Sequence, residues 1–104
     1  MSKISDNLNY FQTNHKKIYE AYSNYGKMIH EEGGPLDEKT RALVKIAISS
    51  VGEHHLALET HIRKAMKAGC TLEEIEHVIL LTAPSVGFPS MMESLLVFRE
   101  FIEK

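Results

Sequence analysis

The chain has 104 residues and a net charge of −2, from 12 lysines and arginines against 14 acidic residues; this length fits a single domain, residues 1–104. Both signs of charge are interspersed, with no basic run to engage nucleic acid, no acidic tail, and no apolar stretch long enough to span a membrane. The start, Met1-Ser2-Lys3-Ile4-Ser5-Asp6, lacks the apolar core of a signal peptide, and the single cysteine, Cys70, cannot form an internal disulfide, so a cytosolic protein is expected.

The spacing of apolar residues is helical almost throughout, and no window shows the alternation of a half-buried strand. The expected fold is an all-α bundle of about five to six helices. A short helix over 5–13 centres on Leu8 and Phe11. A longer one over 14–31 carries Ile18, Tyr22, Tyr25 and Ile29 and ends at Gly33-Gly34-Pro35. Asp37 is placed to cap a helix over 38–51 that buries Leu43, Val44, Ala47 and Ile48. The next helix, 53–68, is stopped by Gly69. Thr71-Leu72-Glu73-Glu74 has the form of a capping box for a helix over 72–83. Pro84-Ser85-Val86-Gly87-Phe88-Pro89 reads as a break. Pro89 then suits the first turn of a last helix bearing Met91, Leu95, Phe98 and Ile102.

Two of these helices are apolar over a wide arc. In 72–83, Leu80 and Leu81 point away from the stripe of Leu72, Ile75, Val78, Ile79 and Thr82. In the last helix, Val97 and Phe101 broaden the stripe. A chain this short buries only about 60–70% of its unfolded surface, so the surplus predicts a homo-oligomer.

The 53–68 helix holds the residues best suited to chemistry. His54, Ala57 and His61 fall at i, i+3 and i+7, on one side, with Leu58, Ile62 and Ala65 flanking them. His54 and His61 are then separated by about 10.5 Å along the axis, too far to share a metal ion. His55 and Glu59 have ligand spacing but lie on the more polar side, and His77 stands alone beside Glu73 and Glu74. No metal site and no cofactor is expected. His61 can exchange a proton near neutral pH, whereas a core histidine would only bond a backbone carbonyl. Cys70, in a helix-to-helix turn, reads as a small buried thiol.

Four segments carry a family resemblance over roughly residues 36–95. They are Leu36-Asp37-Glu38-Lys39-Thr40-Arg41, His61-Ile62-Arg63-Lys64-Ala65, Ala68-Gly69-Cys70-Thr71-Leu72-Glu73-Glu74-Ile75 and Gly87-Phe88-Pro89. In this order and spacing they resemble the carboxymuconolactone decarboxylase family of the AhpD-like superfamily. The resemblance implies an AhpD-like helical bundle. It also implies assembly as a hexamer built of dimers or trimers, with a pocket near the subunit contacts.

The chain departs from both kinds of active site in that superfamily. The peroxidase-type members carry two cysteines followed by a histidine, at positions that here are His54, Ala57 and His61. Their preceding acidic residue corresponds to Ala42. Without paired thiols, dithiol peroxidase chemistry is not expected. The decarboxylase-type members carry a glutamate where this chain has Ala57, and a tyrosine where it has Ser85. What remains implies a lyase acting on a small lactone or carboxylic acid, with His61 and His54 as catalytic residues. Arg41, Arg63, Gly87 and Phe88 would bind the substrate. The alternatives are an antioxidant role through Cys70 and a non-catalytic oligomer that binds a small ligand.

Overall fold

The computed structural model describes residues 3–103, so that Met1, Ser2 and Lys104 lie outside the described residues. Six α-helices follow one another among them, without a strand: α1 (Lys3–Asn14), α2 (Lys16–Glu32), α3 (Glu38–Val51), α4 (His55–Lys67), α5 (Leu72–Val86) and α6 (Phe88–Ile102). The chain forms two compact units, Met1–Pro35 and Leu36–Lys104.

In the first unit, α1 and α2 are joined at His15, whose backbone departs from helical geometry. Helical hydrogen bonds still bracket the joint, from His15 N–H to the Phe11 carbonyl at 2.9 Å and from Tyr19 N–H to the His15 carbonyl at 2.8 Å. The Phe11, His15 and Tyr19 rings pack over it, with the Phe11 and Tyr19 centroids 6.1 Å apart. The helices form as their periodicity predicts, but neither buries a residue. Ile18, Tyr22, Tyr25 and Ile29 all stay exposed. Two helices alone cannot enclose an apolar stripe.

The second unit has a core. Ile46 from α3, Leu58, Ile62 and Ala65 from α4, Ile75 and Ile79 from α5, and Met91 and Phe98 from α6 are buried together with Cys70. α5 packs most extensively on α6, and α3 on α4 and α5. On α3 the buried face is turned from the expected one: Leu43 and Ala47 are partly buried, but Val44 and Ile48 face outward, and Ile46, Ser49 and Ser50 face in. Ser49 and Ser50 are accommodated because small side chains allow close approach to α6; the Ser94 hydroxyl donates to the Ser50 carbonyl at 3.5 Å.

Local signals set the helix ends. Asp37 accepts from Thr40 N–H at 2.8 Å. Thr71 and Glu74 satisfy each other's backbone N–H groups at 3.0 and 2.8 Å, which is the expected capping box. α4 ends in a Schellman motif: Gly69 N–H bonds the Met66 carbonyl, Cys70 N–H bonds the Ala65 carbonyl, and Gly69 takes φ +97°. The expected break from Pro84 onward is corrected, because α5 runs through Pro84 to Val86. The proline removes one N–H in the last turn without reversing the chain. The turn is made at Gly87, with φ +142° and ψ +149°, a conformation open to glycine.

A candidate site on one flank of helix α4

The core face of α4 is Leu58, Ile62 and Ala65, all fully buried. At about 100° per residue, His61 falls to one side of that face and Arg63 to the other, about 200° from it. This corrects the expected arrangement, in which the histidines shared a side and the aliphatic residues flanked them. His54 is not in the helix at all. It is the residue before it, exposed, with no side-chain cap bond. Its ring folds back over the end of α3, so that a methyl group at Gly52 would meet His54 Cδ2 at 2.7 Å. Helical i, i+7 geometry therefore does not relate His54 to His61.

His61 is half-buried on the flank of α4 that faces α3. Burial holds its imidazole below the ordinary histidine value, and the cations of Lys64 and Lys45 push it further down. Lys45 is lowered in turn, first by burial and then by Lys64 and Arg41. Arg41, one turn before Lys45, also donates to the Leu36 carbonyl. Among the expected site residues, His61 and Arg41 are thus both within electrostatic reach of Lys45. An imidazole kept neutral beside several cations can accept a proton, and it lies where an anion would be drawn.

The other expected residues lie elsewhere. Arg63 donates to Glu59 at 3.4 Å, and its guanidinium stands 5.8 Å from the centre of the Phe101 ring. Both contacts belong to the opposite flank of α4. Gly87 and Phe88 form the α5–α6 joint, where Phe88 is exposed.

That opposite flank carries an open groove of 380 Å³ between α4 and α6, with Leu56, Leu96 and Val97 as apolar lining and Glu59, Glu93 and Glu100 around it. His55 also lines it. Its Nε2 lies 3.5 Å from Glu93 Oε1, close enough for an ion pair when protonated. The pair makes no hydrogen bond, and Nε2 is buried without one. Among the described residues, no three histidine, cysteine or acidic side chains converge as a metal site.

Cys70 is buried, and its thiol donates to the Lys39 carbonyl at 3.7 Å. Burial raises the thiol above its ordinary value, and Glu74 raises it further. Thiolate, the reactive form, is therefore scarce at neutral pH.

The second unit is thus an all-helical scaffold in which burial, and then the charges of Lys64 and Lys45, keep His61 neutral. The chain belongs to the carboxymuconolactone decarboxylase family, whose model matches residues 16–100. Over 96 residues it is 28% identical to an uncharacterized protein of Methanocaldococcus jannaschii, with 92% of this chain and 89% of that protein covered. No helix of the described residues is long and apolar enough to cross a membrane.

Sequence reasoning missed Lys45 and Lys64. Both had a readable signal: Lys45 is four residues after Arg41, and Lys64 three after His61, so each shares a helical side with an expected site residue. The pairing of His55 with Glu93 had none, because it depends on how α4 packs against α6.

Proposed function

We propose that the chain decarboxylates a small lactone or related carboxylic acid, with His61 as general acid and base. The observation that carries this reading is the half-buried His61 imidazole, kept neutral by its burial and then by the charges of Lys64 and Lys45. A substrate carboxylate is attracted to these cations. Its negative charge offsets theirs, which favours the imidazolium, so the complex takes up a proton on His61. The carbon–carbon bond to the carboxylate then breaks and CO₂ leaves. The electron pair stays on the carbon, delocalised into the adjacent carbonyl of the substrate, while Lys45 and Lys64 offset the charge. His61 delivers its proton to that carbon and is reprotonated from water. Arg41 extends the cationic strip and positions the acid. The raised thiol of Cys70 weighs against the antioxidant alternative.

The test is CO₂ release from a panel of small unsaturated and lactone carboxylic acids, with wild type and His61→Gln. Turnover by the wild type that falls by about 10²–10⁴-fold in the variant supports the assignment. Turnover that His61→Gln leaves unchanged overturns it. Binding of the acids without CO₂ release would make the cluster a carboxylate-binding site of a non-catalytic protein.

A further inference from the structure

The flank of α4 away from His61 carries chemistry that the proposed reaction does not use. In the 380 Å³ groove between α4 and α6, Leu56 and Leu96 lie open at 68% and 53% exposure, and Glu59, Glu93 and Glu100 line it with them. No lysine or arginine is among the described residues that line it. Arg63 pairs with Glu59 at 3.4 Å, and Arg99, next to Glu100 in sequence, pairs with Glu103 at 3.2 Å. Glu93 and Glu100 therefore set the charge of the groove. His55 approaches Glu93 without a hydrogen bond, and its Nε2 is buried without a partner, a state that calls for an explanation.

We propose that this groove binds a linear aliphatic diamine as its dication, one ammonium at Glu93 and the other at Glu100. The two glutamates stand at i, i+7 on α6, about 10.5 Å apart along its axis. Leu96 and Val97 lie between them on the same side of the helix. Carboxylates so spaced do not share one metal ion, and the apolar surface between them has no ligand to offer it. It does suit methylenes, which cover leucine and valine as a lysine stem covers apolar surface. Charge-assisted bonds of about 2.8 Å at the two ends leave about 5–10 Å between the bound nitrogens. With carbon–carbon bonds of about 1.5 Å, a chain of about four to six methylenes spans that gap. The ammonium at Glu93 lies beside His55, and once the ring turns it is the donor that the bare Nε2 lacks. The inference stands independently of the reaction proposed for His61: the cations beside that histidine draw an acid, and the opposite flank draws a base.

Titration of the isotope-labelled protein with 1,6-diaminohexane tests it, read as amide NMR shifts. Saturable shifts are expected at Leu56, Leu96 and Val97, with a Kd of about 1 mM because the charges are solvent-exposed. 1-Aminohexane has the same chain and one charge, and it should bind about threefold or more weakly. 1,2-Diaminoethane, too short to reach both carboxylates, should bind as weakly. Glu93→Gln and Glu100→Gln should each weaken the diamine about threefold, and together about tenfold, while leaving the monoamine less affected by the pair. The same spectra establish that each variant is folded. Should the double variant unfold, Leu96→Ser replaces it, removing apolar cover for the chain, and it should weaken the diamine likewise. Shifts that never saturate or that fall outside the groove overturn the proposal. So does a monoamine that binds as tightly as the diamine, or diamine binding that the double variant or Leu96→Ser leaves unchanged.

Discussion

The two flanks of α4 place a histidine each in opposite surroundings only six residues apart. His61, toward α3, sits among Lys45, Lys64 and, through Lys45, Arg41. His55, toward α6, sits beside Glu93 in an acidic groove. Both flanks belong to one amphipathic helix, whose buried stripe divides them. The comparison teaches that the partner helix adds to what a histidine's own helix and its burial supply. Burial first, then Lys64 of α4 itself and Lys45 of α3, make the His61 imidazole a poor cation, whereas a glutamate arriving from α6 lies within ion-pair reach of His55.

The largest effect comes from removing what separates the flanks. Ile62 is fully buried at the centre of the stripe. Ile62→Ala should cost about 2–5 kcal/mol of unfolding free energy, through lost burial and the void it leaves. Urea unfolding measures it. A loss below about 1 kcal/mol would mean that the stripe is not the seam holding α4.

Next come the two histidines themselves. His61→Gln should remove the proposed activity while lowering stability by less than about 1 kcal/mol, because the side chain is only half-buried. His55→Gln should leave turnover unchanged. Paired assays with urea unfolding read both quantities, and equal losses of activity in the two variants would erase the distinction between the flanks.

How much of this was legible in the sequence depends on how locally each feature is determined. The Asp37 cap, the Thr71–Glu74 capping box and the glycine stop at Gly69 follow from neighbours within a few residues, and all are present. The buried side of α3 was legible only in part, with Leu43 packed against the core and Val44 and Ile48 outside it. Val44 and Ile48 are more apolar than Ser49 and Ser50, so hydrophobicity alone turns the helix the wrong way. The close approach of α6, with Ser94 against the Ser50 carbonyl, decides the matter. Helix α2 shows the same limit: its stripe is regular, but no second layer exists within its unit to cover it. At the candidate site, His61 and Arg41 stand in the segments that carry the family resemblance. The separation of Arg63 from His61 follows from helical geometry. The place of His54 does not, since it depends on where α4 starts.

The acid side of the pH scale sharpens the contrast. Burial and the two lysines lower the His61 value in the folded state. Near and below the ordinary histidine value of about 6.5, the unfolded chain therefore binds more protons at this residue than the folded chain does. Stability contributed by neutral His61 is complete above that value and is lost as pH falls from it toward the lower folded value. The difference in urea midpoint between wild type and His61→Gln should thus change over this window and level off above it. Lys45→Met should narrow the window by removing one of the cations. A midpoint difference that is flat with pH would show that the imidazole is not held neutral.

The smallest effect lies at the entrance to α4. The helices on either side of that entrance end in the same motif, with different residues at its left-handed position. After α4, Gly69 fills it; after α3, Glu53 does, with φ +56°. The bonds correspond one to one, with Glu53 N–H to the Ser50 carbonyl at 3.2 Å and His54 N–H to the Ser49 carbonyl at 2.9 Å. A left-handed conformation costs a residue with a Cβ about 1–2 kcal/mol, part of which glycine gives back through its greater freedom when unfolded. Glu53→Gly should therefore raise stability by up to about 1 kcal/mol. Glu53→Ala is the control that removes the carboxylate and keeps the Cβ, so only the difference between the two variants reports the backbone. Gly69→Ala should do the reverse and lose about 1–2 kcal/mol. Space is not the reason there, because the nearest atom to a methyl group at Gly69 is Lys39 Cδ at 4.0 Å. Urea midpoints of the three variants decide the matter. If Glu53→Gly is no more stable than Glu53→Ala, the turn that sets the start of α4, and with it the fold-back of His54, is not strained at Glu53.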